Sequence, residues 1–352
     1  MTKGRLKRGL VLLAGILLLA SALGYSVLTN PQWRDFDFHL FLASFRGLSW
    51  SWMLAAFALV YATYVTRAIR WRILMRPIKP KVSVWSLLSA TVIGFGAIAV
   101  MGRPGEFVRP YLIAKKEEVP LSGQLAIWVL ERSFDTLIVL AAVAFAVSRF
   151  QPQSAEGPLP PPWWNAVGEA VGLGTALVLI LLILLRGYYG ALVRALVRSL
   201  NRIPLPLVRS RLGRIENGLR VFGSGLQGLG DWRSMLGCLA LSFLQWLLIA
   251  VAYYALLAAC ARDLDFHLTQ AVIFMGISMA GSTVQIPGVG GGMQIAAVLG
   301  LTEVFGMQVE LASSTAILIW VLTFLAVLPP ALILLVQEGL SWAKLRQLGS
   351  EV

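Results

Sequence analysis

Apolar residues run through this chain in long blocks, separated by short basic or proline-rich stretches. The blocks lie at about 10–28, 50–66, 82–101, 121–148, 166–185, 234–260, 267–306 and 312–336. Each approaches or exceeds the roughly 20 residues a helix needs to cross bilayer hydrocarbon. Two are broken. Gly102-Arg103-Pro104-Gly105-Glu106 closes the 82–101 block, and Ile286-Pro287-Gly288-Val289-Gly290-Gly291-Gly292 interrupts 267–306. Proline and glycine break helices, and hydrocarbon offers the freed backbone groups no hydrogen bonds. Such breaks persist at membrane depth only when buried in protein or facing a polar cavity. A matching pair in the two halves of a chain points to a transporter binding site.

Charge orients the blocks. Block 10–28 follows Lys3, Arg5, Lys7 and Arg8; Ala20-Ser21-Ala22 resembles a cleavage site, but the apolar run continues to spanning length and predicts an uncleaved first span. Block 50–66 returns to a basic stretch, Arg67, Arg70, Arg72, Arg76, Lys79 and Lys81, which reads as cytoplasmic. Arg103, Arg109, Lys115 and Lys116 follow the first break, so both ends of 82–101 ask to be inside. The 151–165 loop has five prolines and no Lys or Arg, and reads as outside. Nine arginines in 186–233 and the Lys344 and Arg346 tail read as inside.

These constraints predict an all-α polytopic membrane protein forming a single transmembrane domain over 1–352. It has about six full spans plus two broken or re-entrant helical hairpins. A first triplet (about 50–148), a linking span (166–185), a cytoplasmic amphipathic segment (186–233) and a second triplet (about 234–336) follow in order. The triplets run in opposite orientation, the logic of an inverted-topology repeat, with both termini cytoplasmic. Eight or so ordinary crossings with Pro-Gly loops is the competing reading. In 186–233, Leu212, Ile215, Leu219, Phe222, Leu226 and Leu229 recur at helical spacing, which predicts a helix lying in the interface.

The composition, 58% hydrophobic and 13% charged, excludes a soluble globular protein and a disordered one. The net charge of +13 follows from arginines and lysines beside apolar spans, which suit anionic lipid headgroups, and no nucleic-acid motif is present. Cys238 and Cys260 share one span and lie about 33 Å apart on a continuous helix, too far to pair. No metal cluster, nucleophile with a paired histidine, or phosphate loop is visible, so no cofactor and no enzymatic activity are expected.

Few charges lie at membrane depth, where they are costly and functional by default. Glu131, Arg132 and Asp135 are the clearest. Glu131 and Asp135 share a helix face, and the three could equally form an internal ion pair that fixes packing. Arg103, Glu106 and Arg109 flank the first break. A half-helix opening at Pro104 would present free N–H groups and a positive dipole end, to which the arginines add an anion-binding fork. These six are the candidate substrate-binding residues. Pro104, Gly105, Pro287, Gly288, Gly290 and Gly291 are candidate hinge or close-approach positions. The expected pairing joins Glu131, Arg132 or Asp135 to Arg103 or Arg109.

Several stretches together resemble the transmembrane-region family of lysylphosphatidylglycerol synthase, the flippase-like domain family. They are Ala68-Ile69-Arg70-Trp71-Arg72-Ile73-Leu74, GRPGEFVRPYLIAKK from Gly102 to Lys116, ERSFD from Glu131 to Asp135, the Ile286–Gly291 break and the closing LTFLAVLPPALILL. The resemblance implies a bacterial inner-membrane protein that moves or handles lipids. It departs from the family at two places: Gln294 stands where a glutamate is usual after the second break, and Trp320 where the last span usually has an arginine. No cytosolic aminoacyl-transferase segment is recognisable, so lipid aminoacylation is not expected. The leading expectation is a flippase or transporter of a phospholipid or lipid-linked precursor. The alternative is a non-transporting subunit that scaffolds or regulates a lipid-modifying enzyme.

Overall fold

The computed structural model describes residues 35–150, most of 166–177, 180, 188, 232–261, 264, 266–283, 285–286 and 290–339. The block at 10–28, the 151–165 loop, nearly all of 186–233, and Pro287 and Gly288 lie outside the described residues.

The described chain is helical apart from one two-residue pairing. A short helix α1 (Phe38–Arg46) opens on Asp37, whose carboxylate accepts the amides of His39 at 2.7 Å and Leu40 at 3.3 Å. Then come α2 (Trp50–Met75), α3 (Val84–Met101), a 3₁₀ turn (Arg103–Phe107), α4 (Val108–Lys116) and α5 (Leu121–Arg149). The second half has α6 (Trp232–Cys260), α7 (Leu268–Gly281), α8 (Gly292–Leu299), α9 (Val309–Trp320) and α10 (Leu328–Gln337). Strands β1 (Gln285–Ile286) and β2 (Gly290–Gly291) pair antiparallel across the second break. Single π turns, Gly300–Val304 and Val321–Leu325, extend α8 and join α9 to α10.

Four stretches are long and apolar enough to cross a membrane: Trp50–Met75, Val84–Met101, Trp232–Cys260 and Val309–Gln337. Helix α5 equals the longest of them, with 29 residues, and carries Glu131, Arg132 and Asp135 along its middle. Large apolar side chains such as Trp50, Trp85, Phe145, Trp232, Phe243 and Val336 face outward. That surface suits lipid and not water.

Helices α2 and α6 form an antiparallel spine. The Ser49 amide at the start of α2 donates to the Ala259 carbonyl near the end of α6 at 3.0 Å, and Gly237 faces Ile73 at the other end. Each broken block is a helical hairpin whose base lies at its own end of this spine. In the first, Gly102 takes the left-handed φ of 69° that turns α3 back on itself. Gly105 then packs so closely on α3 that a Cβ would stand 2.5 Å from the Ala97 carbonyl. The base is closed by Lys79 and Ser86, which donate to the Glu117 carboxylate at 2.8 and 2.6 Å. Burial alone would push the Glu117 carboxyl up, but these donors and the nearby Lys116 hold it below its ordinary value. In the second hairpin, a Cβ on Gly281 would collide with Ala296 and the Gly292 carbonyl, and Phe266 meets Phe305 at the base with ring centres 5.8 Å apart. The hairpins touch at their tips, where Arg103 donates to the Ser282 carbonyl at 3.1 Å.

The packing partners correspond between the halves. Helix α3 lies against α2 and α10, and α7 lies against α6 and α5; α4 packs on α5 as α8 packs on α9. One apolar core, with Trp246, Phe274 and Met293, occupies the end nearest the second hairpin. Another, with Trp71, Leu112 and Phe134, occupies the opposite end. Charged side chains lie in α2, α4 and α5, beside these cores.

Candidate functional site

Helix α5 presents Glu131 and Asp135 on one buried face, as their spacing of four requires. Their main partner comes from α2. The Arg70 guanidinium reaches Glu131 at 2.5 Å and Asp135 at 2.6 and 3.2 Å, and donates to the Ser242 hydroxyl at 2.5 Å. Asp135 also accepts from Trp246 Nε1 at 3.1 Å and Gln245 Nε2 at 3.4 Å, so α6 closes the third side. A carboxylate pair held by a bidentate arginine and satisfied by further donors meets the condition for burying charge.

Three more arginines surround this centre. Arg109, from α4, pairs with the second oxygen of Glu131, and its guanidinium lies 4.1 Å above the Trp71 ring. Arg67 stands 3.8 Å from Asp135 and 4.8 Å above the Phe95 ring. Arg132 reaches Asp135 at 3.2 Å from a side chain that is 38% exposed. The expected pairing of the α5 carboxylates with Arg109 is present. Arg103 does not join it: it pairs with Glu106 at 2.8 Å on the rim and reaches across to the second hairpin.

Glu106, Arg109 and Arg132 meet along one cleft. Gly94, Phe95, Ile98 and Trp128 complete its walls; the cleft is narrow and open to the outside, with a volume of about 20 Å³. Gly94 is the floor that admits α4: a Cβ there would stand 2.7 Å from that of Arg109. Phe107 and Trp128, ring centres 5.4 Å apart, flank the cleft with an aromatic wall. The 3₁₀ turn opens at Arg103 with Pro104 at its start, as the half-helix expectation requires, but regular α-helix begins only at Val108.

The largest departure from the sequence reading concerns Arg67 and Arg70. Taken as cytoplasmic charges that end a span near residue 66, they lie inside α2, which continues to Met75; they are 6% and 1% exposed. Their spacing of three, with Trp71 and Leu74 continuing the same face, was the available signal. Ser242 and Gln245, polar and three apart in an otherwise apolar block, signal the matching face of α6.

Over residues 9–331 the chain matches the lysylphosphatidylglycerol synthase TM region. The chain belongs to that family. Lysylphosphatidylglycerol synthase TM regions belong to the membrane biology of lipid metabolism and transport, so this is a multi-pass helical protein of that kind. Neither the curated proteins nor the solved structures offered a match.

Gln294 and Trp320, singled out in the sequence, have different roles. Gln294 accepts the Gly291 amide at 2.7 Å and so closes the first turn of α8. Trp320 ends α9 just before the π turn, in which Thr323 lies 3.8 Å from the Met293 sulfur. Gly290 and Gly291 form β2, and Gly291, at φ 101°, leads directly into α8. The second break is thus neutral where the first is charged. Among the described residues, no group of three or more His, Cys, Asp or Glu is placed to hold a metal.

Proposed function

We propose that this protein carries a lipid with an anionic headgroup across the bacterial inner membrane. The headgroup occupies the cleft of Glu106, Arg109 and Arg132, and the acyl chains remain outside the bundle, against Phe107 and Trp128. One observation carries this reading: a half-exposed arginine on the middle of a long helix, beside a buried arginine and an aromatic wall. A cation there is costly facing hydrocarbon and rewarding facing a phosphate that arrives laterally.

The two triplets, α2 to α5 and α6 to α10, act as an inverted repeat around this cleft. The antiparallel spine, the hairpin bases at opposite ends and the corresponding packing partners support that arrangement. With the basic ends of α2 and α3 in the cytoplasm, cysteines at Lys81 and Lys115 label from inside. Cysteines at His267 and Gln308, at the base of the second hairpin, label from outside. Labelling of all four from one side refutes the inversion.

Transport is tested in vesicles holding the purified full chain and a trace of fluorescent phosphatidylglycerol. The wild-type protein accelerates transbilayer movement. Arg109→Ala reduces the rate at least about tenfold at equal protein content, because a charge-assisted contact of about 1.5–3 kcal/mol is lost. Arg109→Lys recovers part of it, since a point charge replaces a fork. Equal rates for Arg109→Ala and wild type would remove the cleft from the transport path.

A further inference from the structure

We infer that the cleft is built for a headgroup carrying two negative charges, a phosphomonoester or a pyrophosphate, and not the single charge of a phosphodiester. The inference rests on the lipid-carrier reading above and adds the valence of the ligand.

The charge count carries it. Arg67, Arg70, Arg103, Arg109 and Arg132 meet three carboxylates, Glu106, Glu131 and Asp135. Five fixed cations against three anions leave two positive charges. Guanidinium does not shed its proton in proteins, so this excess cannot be removed by titration. Nor is it spread evenly. Arg103 and Glu106 cancel on the rim, and Arg70 is shared between Glu131 and Asp135. What remains is concentrated on Arg67, Arg109 and Arg132.

Donors without a hydrogen bond lie on those same three residues and, for Nε alone, on Arg70. Arg109 is 4% exposed, yet its Nη1 makes no hydrogen bond among the described residues; Nε of Arg132 and Nε of Arg67 are likewise buried without one, and Arg67 Nη1 has only long ion-pair contacts at 3.8 and 3.9 Å. A buried polar group without a hydrogen bond is destabilising, and a charged one more so. Two of these three arginines line the cleft. Arg67 is one layer behind, over Phe95, itself a cleft wall. An incoming phosphomonoester supplies two charges and three acceptor oxygens; a phosphodiester supplies one charge and two free oxygens. Only the former neutralises the excess.

The same chemistry could arrive as a free anion, so the test separates valence, lipid source and site. Full-length protein in nanodiscs of phosphatidylcholine is titrated, at pH 8, with dioleoyl phosphatidic acid or dioleoyl phosphatidylglycerol, and separately with inorganic pyrophosphate. At this pH a phosphomonoester carries nearly two charges. Binding is read from tryptophan fluorescence and thermal shift. Phosphatidic acid should bind at least about tenfold tighter than phosphatidylglycerol. Arg132→Gln, at a half-exposed position that tolerates change, should narrow that ratio to within about threefold by lowering the excess to one charge. Equal affinities for the two lipids overturn the inference while leaving the carrier reading intact, provided Arg109→Ala still weakens both. If Arg109→Ala weakens neither, the site itself is wrong. Should Arg109→Ala fail to accumulate, the Arg132→Gln ratio decides alone. Pyrophosphate binding that matches or exceeds that of phosphatidic acid assigns the cleft to a soluble anion and overturns the lipid source.

Discussion

The two hairpins have one architecture and opposite chemistry. Both turn on glycine, pack their arms closely and rest against the third helix of a triplet, α4 on α5 and α8 on α9. The first brings Arg109 to a buried carboxylate and places Arg103 and Glu106 on its rim. The second closes with Gln294 on the Gly291 amide and a two-residue strand pair. Since the neutral hairpin achieves the same fold, charge is not what makes a hairpin here. The arginines of the first one are therefore not needed to make a hairpin, and the proposed reading assigns them to a ligand.

The sharpest way to break that comparison is to ask which arginine the fold does need. Arg70→Ala strips Glu131 and Asp135 of their shared partner and leaves Ser242 unpaired, so a loss of about 3–5 kcal/mol is expected and the protein should fail to accumulate in the membrane. Arg109→Ala frees one oxygen of Glu131 but leaves that carboxylate its bond to Arg70, so a smaller loss is expected and the protein should still accumulate. If the two variants reach equal levels by quantitative blotting, the division into structural and ligand-binding arginines fails.

A second test asks where the hairpins behave alike. Gly105→Ala and Gly281→Ala each place a methyl group in backbone or a packed side chain, and each should lower stability by about 1–3 kcal/mol in thermal unfolding of the detergent-solubilised protein. A loss confined to one of them would show that the tips are not built on one plan. Arg103→Ala is expected to cost less than about 1 kcal/mol, since its ion pair is exposed.

The smallest effect is at the base of the first hairpin. The Glu117 carboxyl is held below its ordinary value, so its contribution is complete above the unfolded value near 4.5 and lost as pH falls through the lower folded one. Glu117→Gln should lower stability slightly in the neutral region, where the clamp is complete, and flatten the fall below about pH 4.5, so that the two profiles converge in acid. An identical acid limb in both proteins would remove the base clamp as its cause.

Much of this site was legible in the sequence, for a physical reason. Charges inside apolar blocks are rare because they are expensive, so Glu131, Arg132 and Asp135 stand out, and the Pro-Gly break leads to Arg109. Arg67 and Arg70 were not legible as site residues. An arginine at the end of an apolar run is consistent both with a cytoplasmic flank and with a helix that continues; only the partner helix distinguishes them. Arg103 failed in the other direction. Its proximity to Arg109 in sequence suggested a shared buried role, but the 3₁₀ turn places the two on different sides, one outward to Glu106 and one inward to Glu131. The packing of α3 on α10 and α7 on α5 joins residues far apart in the chain, which periodicity does not report.

The contact between Arg103 and the Ser282 carbonyl has a mechanical meaning. Two levers, pivoted at opposite ends of the bundle, share one bearing where their tips meet. Neither can swing on its pivot without dragging the other or parting that bearing. The cleft lies on the arm of the first lever, between Glu106 and Arg109. Parting that bearing would free the Arg103–Glu106 rim of the cleft from a segment that carries no charge of its own.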